Sequence, residues 1–151
     1  MMTIMGRLRL RVNLGREQRY RSCSLPGIKG VKMKKRIIIC DDEEPIRLLL
    51  NEALKDDYEV VVCDNGRDVI KYITKENFDL LITDIKMPGT HGLEVIERIR
   101  ERNKTIPIVV CSAYKLLEDD IVVKTSEIAA FITKPIEIKQ LKAKIFELIG
   151  V

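Results

Sequence analysis

The chain of 151 residues has no long hydrophobic run. Its apolar stretches stop after about four or five residues, far short of the roughly 18 that mark a membrane span, so a bilayer-crossing helix is excluded. Cysteine is sparse and badly spaced for metal. Cys23, Cys40, Cys63 and Cys111 form no C-x-x-C pair, and three of them lie in apolar runs, where a thiol acts as a small buried hydrophobe. Zinc and disulfide readings are therefore weak, and a reducing cytoplasm fits. The lone histidine, His91, has no ligand-type neighbours in sequence. No internal repeat or low-complexity segment is found, and the N-terminal stretch lacks the apolar core and small-residue cleavage site of a secretory signal.

What is present is a soluble globular composition, 46% apolar and 33% charged, at a length suited to one domain or one domain with a tail. Charge is unevenly placed. Residues 1–32 carry Arg7, Arg9, Arg11, Arg16, Arg19, Arg21, Lys29 and Lys32 against one acid, Glu17, leaving 19 of the 27 basic and 22 of the 23 acidic residues for the remainder. Such an arm could meet nucleic acid or an anionic surface. Its aromatic interleaving is limited to Tyr20, however, so nothing beyond charge supports nucleic-acid recognition. The expectation is a disordered or artefactual extension over 1–32, with Met33 a fitting translation start and one globular unit over 33–151.

From residue 35 onward, short apolar runs alternate with amphipathic stretches. Ile37 to Cys40 reads as a strand, and Pro45 at a first helical position opens a helix carrying Ile46, Leu49, Leu50, Ala53 and Leu54. Val60 to Cys63 is a second strand, followed after Asn65-Gly66 by a helix with Val69, Ile70 and Ile73. Leu80 to Thr83 is the third, with a Met87-Pro88-Gly89 turn and then a helix bearing Leu93, Ile96 and Ile99. Ile108 to Cys111 is the fourth, with a helix expected from about Tyr114 to Ser126. Ala130 to Thr133 is the fifth, and the last helix places Ile138, Leu141, Ile145 and Leu148 on one face. Strands apolar at consecutive positions with helices between them imply an α/β, doubly wound five-stranded parallel sheet, (βα)5. Function in such folds collects at the carboxyl ends of the strands.

Those ends carry chemistry. The first strand ends on Asp41-Asp42, followed by Glu43 and Glu44; the third ends on Asp84, the fourth on Ser112 and the fifth on Lys134. Singly, each has an ordinary structural explanation as a helix cap, a turn residue or a solvated lysine. Together they are an acid–acid–hydroxyl–ammonium set. Converging carboxylates repel unless a cation sits among them, and oxygen ligands suit a hard ion such as Mg²⁺. A hydroxyl and an ammonium opposite could hold the other oxygens of a transferred phosphoryl group.

In these blocks the chain resembles the receiver domain of two-component response regulators, here in single-domain form. The resemblance rests on Asp41-Asp42, on Asp84 through Gly92, on Ser112-Ala113 and on Lys134-Pro135, and covers about 34–151. It implies a flavodoxin-like strand order of 2-1-3-4-5. It also implies Asp84 as phosphoacceptor, charged from a sensor histidine kinase or a histidine phosphotransfer protein. Mg²⁺ (or Mn²⁺) would be held by Asp42 directly, Asp41 through water, Asp84 and the Lys86 carbonyl. Ser112 would hydrogen-bond the phosphoryl group and Lys134 would pair with it. The Lys134-Pro135 peptide is expected to be cis. Ser112 and Phe131 would form the switch, changing affinity for a downstream protein on the face of the fourth helix, fifth strand and fifth helix. Lys86 and Tyr114 should hinder the hydrolytic water, giving a long-lived phosphoryl state. The chain departs from the family at the end of the fourth helix, where Thr125-Ser126-Glu127-Ile128 lacks the common glycine.

Two other classes compete. One is a transcription regulator without its DNA-binding half, or one using the basic arm. The other is a Mg²⁺-dependent aspartyl phosphatase, whose chemistry usually needs a second Asp two positions after the nucleophile, where this chain has Lys86. A flavin-binding module of similar fold fits less well, since acids crowd the place of its phosphate.

Overall fold

The structure, a computed structural model, describes residues 8–14, 17–23, 32–87, 89, 91–113 and 128–151. Its elements run β1 (Leu8–Leu14), β2 (Glu17–Cys23), β3 (Arg36–Cys40), α1 (Glu44–Leu54), β4 (Glu59–Cys63), α2 (Gly66–Lys75), β5 (Leu80–Thr83), α3 (Gly92–Arg102), β6 (Ile108–Ser112), β7 (Ala130–Thr133) and α4 (Ile138–Ile149). The helix expected over 114–126, with Tyr114 and the glycine-free segment after it, lies outside the described residues apart from Ile128.

Strands β3 to β7 are parallel and lie in the order β4-β3-β5-β6-β7, which among these five is 2-1-3-4-5. Period-two alternation divides their side chains into two layers. Ile38, Cys40, Val61, Cys63, Leu81, Ile108 and Val110 face α2 and α3, meeting Val69, Tyr72, Val95, Ile96 and Ile99. Ile37, Ile39, Val60, Leu80, Ile82, Val109, Cys111 and Ile132 face α1 and α4, meeting Leu50, Leu54, Leu141 and Ile145. Both layers are covered, and that is why the strands read as unbroken apolar runs.

Within the 1–32 segment expected from sequence to be an extension, the structure has β1 and β2. They pair antiparallel from Leu8↔Cys23 to Leu14↔Glu17, and β2 joins the sheet beside β4 at Arg19↔Val61. The sheet therefore has seven strands. The signal for β1 was its alternation, Leu8, Leu10, Val12 and Leu14 against Arg9, Arg11 and Asn13.

Arg36 locks the amino ends of the strands. Its guanidinium bonds Glu76 at 2.7 Å, Glu59 at 3.1 Å and the Asn77 carbonyl at 2.9 Å, and lies 4.6 Å from the Phe78 ring centre. At the chain's end, the Tyr58 hydroxyl donates to the Gly150 carbonyl at 2.9 Å. Among the described residues, no helix is long and apolar enough to cross a membrane.

Candidate functional site

The backbone ladder continues one step past the strands at their carboxyl ends. Asp41 N–H donates to the Cys63 carbonyl at 3.3 Å, Asp84 N–H to that of Cys40 at 3.0 Å, and Lys134 N–H to that of Ser112 at 2.9 Å. The sheet itself thus fixes where Asp41, Asp84 and Lys134 emerge. Ser112 is the last residue of β6, fully buried and in register with Thr133. The Lys134-Pro135 peptide is cis, as the resemblance implied.

The side chains of the acidic set converge. Single carboxylate oxygens of Asp41, Asp42, Glu43 and Asp84 lie within 4.8 Å of one another. Lys134 Nζ donates to Asp41 Oδ2 at 2.8 Å, Glu43 Oε1 at 2.9 Å and Asp84 Oδ2 at 2.9 Å. The other oxygens of the two buried acids are also engaged. Asp41 Oδ1 accepts from Glu43 N–H at 2.9 Å, and Asp84 Oδ1 from Lys86 N–H at 3.2 Å.

Burial sets the electrostatics. It pushes the Asp41 carboxyl upward, opposed by the hydrogen bond from Lys134. Burial also works against the Lys134 ammonium, but its hydrogen bonds to Asp41, Asp84 and Glu43 outweigh this and hold its pKa well above the ordinary lysine range. Lys134 is thus firmly charged. One ammonium balances several carboxylates here, and negative charge remains in excess. Hard oxygen donors held this close fit a divalent cation of the Mg²⁺ or Mn²⁺ type.

Asp41, Asp42, Asp84 and Lys134 are therefore brought together at the ends predicted for them, and Ser112 closes the adjoining strand. Lys86 is exposed, and its backbone N–H donates to Asp84 Oδ1. Phe131 stands on β7 opposite Val110, partly buried against the α2–α3 side of the core. Tyr114 lies outside the described residues.

Three contributors were missed by sequence reasoning. Glu43 bonds Lys134. Arg47 Nη1 donates to the carbonyls of Asp41 at 2.8 Å and Asp42 at 2.9 Å, holding the acidic turn. The buried Thr83 hydroxyl donates to the Asp84 carbonyl at 3.0 Å. Glu43 was visible as a third acid after the pair; Arg47 and Thr83 had no local signal.

Gly92 belongs to the site's frame. Its N–H donates to the Ile85 carbonyl at 2.8 Å. A Cβ at position 92 would press on the Asp84 carbonyl oxygen and stand 2.7 Å from Ile85 Cα.

The region matched by known proteins takes in these strand ends. The family model described as response regulator receiver domain matches residues 37–146. Sporulation initiation phosphotransferase F of Bacillus subtilis is 33% identical over 113 residues, 73% of this chain and 90% of that protein. The sensor protein GacS of Pseudomonas syringae is 32% identical over 75% of this chain, which spans only 13% of that protein. Among solved structures, the response regulator TrrA of Thermotoga maritima, in complex with Mg²⁺ and BeF, is 36% identical. It superimposes with a TM-score of 0.70 over 76% of this chain and 98% of that one.

Proposed function

Since the chain belongs to the response-regulator receiver family, we propose that it is a stand-alone response regulator that accepts a phosphoryl group on Asp84. The observation that carries this is the gathering at the strand ends of four carboxylates within 4.8 Å of one another, three of them bonded to one lysine ammonium. The donor is a phosphohistidine on a sensor histidine kinase or a histidine phosphotransfer protein. In the transfer, an Asp84 carboxylate oxygen attacks phosphorus, the phosphorus–nitrogen bond breaks, and the imidazole nitrogen keeps the electron pair.

Asp41, Asp42 and Asp84, with the Lys86 carbonyl, would hold Mg²⁺ or Mn²⁺, which supplies neutralisation of the charge on the phosphoryl oxygens. That the Thermotoga relative was solved in complex with Mg²⁺ and BeF supports a divalent cation, without bearing on which residues hold it. Lys134 pairs with one phosphoryl oxygen, and the Ser112 hydroxyl donates to another. The chain catalyses its own phosphorylation and its slow dephosphorylation, with Lys86 and Tyr114 hindering the attacking water.

Movement of Ser112 toward the phosphoryl group, coupled to Phe131, switches affinity for a downstream protein on the face of β7, α4 and the segment before β7. Phosphorylation acts only through its differential affinity for the two arrangements. Residues 33–151 are the receiver unit and 1–32 an extension of it, and the protein works in the cytoplasm.

The test is intact mass after incubation with acetyl phosphate and Mg²⁺. The expected result is a Mg²⁺-dependent gain of one phosphoryl group by the full chain and by a version starting at Met33, and none by Asp84→Asn. A folded full chain that gains nothing would remove phosphotransfer and leave a docking module.

A further inference from the structure

We propose that Glu43 is a positioning residue that holds the Lys134 ammonium aside when a divalent cation binds; the inference rests on the receiver reading above. A lysine ammonium has three N–H donors, and here each is taken by one carboxylate, from Asp41, Glu43 and Asp84. The three partners are not equivalent. Asp41 and Asp84 have side chains only 2% and 9% exposed, whereas Glu43 is 57% exposed. Asp41 and Asp84 are also among the strand-end acids that would hold a cation here, with Asp42.

A divalent cation among these acids competes with Lys134 for their oxygens and repels its positive charge. The spare oxygens are partly engaged, since Asp41 Oδ1 already receives the Glu43 amide and Asp84 Oδ1 the Lys86 amide. Each of these oxygens keeps a lone pair for a cation, so it is chiefly the repulsion between the two cations that weakens the hold of Lys134 on the buried acids. Glu43 is its partner at the solvent side of the cluster. It sits at the N-cap position of α1, where its side chain makes no capping bond of its own.

Loss of Glu43 removes one of three partners from the cation-free state. In the cation-bound state it removes the partner on which Lys134 then leans most. Only this difference between states changes cation affinity. Because Glu43 is more than half exposed, the effect should be modest, a weakening of about threefold to tenfold. Lys134 would also be less well placed for the incoming phosphoryl oxygen.

The experiment measures Mg²⁺ affinity of the full chain by isothermal titration calorimetry, in wild type, Glu43→Gln, Glu43→Asp, Lys134→Met and the Glu43→Gln/Lys134→Met double variant. Glu43→Gln should weaken Mg²⁺ binding in the presence of Lys134 and have little effect beside Lys134→Met. Glu43→Asp keeps the charge but is one methylene shorter, so it should weaken binding nearly as much as Glu43→Gln. Equal weakening by Glu43→Gln in both backgrounds would mean that Glu43 acts on the cation without Lys134, and the inference falls. Wild-type affinity in Glu43→Asp, or in Glu43→Gln, overturns it as well, and these variants do not depend on Lys134→Met folding. If the unaltered chain binds no Mg²⁺, the metal-dependent receiver reading and this inference fall together; binding without the coupling removes the inference alone.

Discussion

At the scale of single residues, burial rather than proximity decides which groups are chemically available. Cys111 lies on β6 among Ile39, Val109 and Ile132 in the α1–α4 layer, and burial pushes its thiol from 9.0 up to about 12. The folded state therefore favours the neutral thiol, and the unfolded chain is the first to lose the proton as pH rises. Stability contributed by this group is fully present below about pH 9 and lost progressively between about 9 and 12. Denaturant midpoints measured from pH 8 to 11 should fall more steeply in the wild type than in Cys111→Ala; parallel curves would show that the thiol contributes nothing to the slope. In the folded protein the same thiol should resist alkylation at neutral pH, since the thiolate is the nucleophile.

At the scale of elements, the loop from β5 to α3 shows how closely Asp84 is framed. A side chain at position 92 would collide with the backbone of Asp84 and Ile85, and backbone cannot swing away as a flexible side chain can. Gly92→Ala should cost about 2 kcal/mol or more and displace Asp84. A chemical-denaturation curve checks the first effect, and the rate of phosphoryl gain from acetyl phosphate the second. A variant of unchanged stability and rate would mean that the loop yields easily.

The elements were legible from sequence to different degrees. The five parallel strands announced themselves because burial on both faces needs continuous apolar runs such as Ile37-Ile38-Ile39, and the acids at their ends interrupted those runs abruptly. The edge hairpin was less legible, because the many arginines of residues 1–32 overlie the leucine–arginine alternation that makes β1. In the site, Asp41, Asp42, Asp84, Ser112 and Lys134 could be found as strand-end residues. Glu43, Arg47 and Thr83 could not be assigned in the same way. Their contacts depend on how the first turn of α1 sits over the acidic turn, and on a hydroxyl reaching the next residue's carbonyl. No sequence period encodes either.

At the scale of the whole molecule, chemistry and anchoring lie at opposite ends of the same strands. The carboxyl ends gather charge that a cation can compensate. The amino ends are held by the Arg36 network to Glu59, Glu76 and Asn77. Between them the sheet divides the apolar interior into two layers that touch different helices. Free-energy changes of mutation should consequently add across the sheet and interact within a layer. Ile99→Val and Ile145→Val, one on each side, should each cost about 0.5–1.5 kcal/mol, and the double variant should match their sum to within about 0.5 kcal/mol. A larger departure would show that the strands transmit strain from one side to the other. If the values add, the protein behaves thermodynamically as two half-cores sharing a wall, and each can drift in sequence without consulting the other.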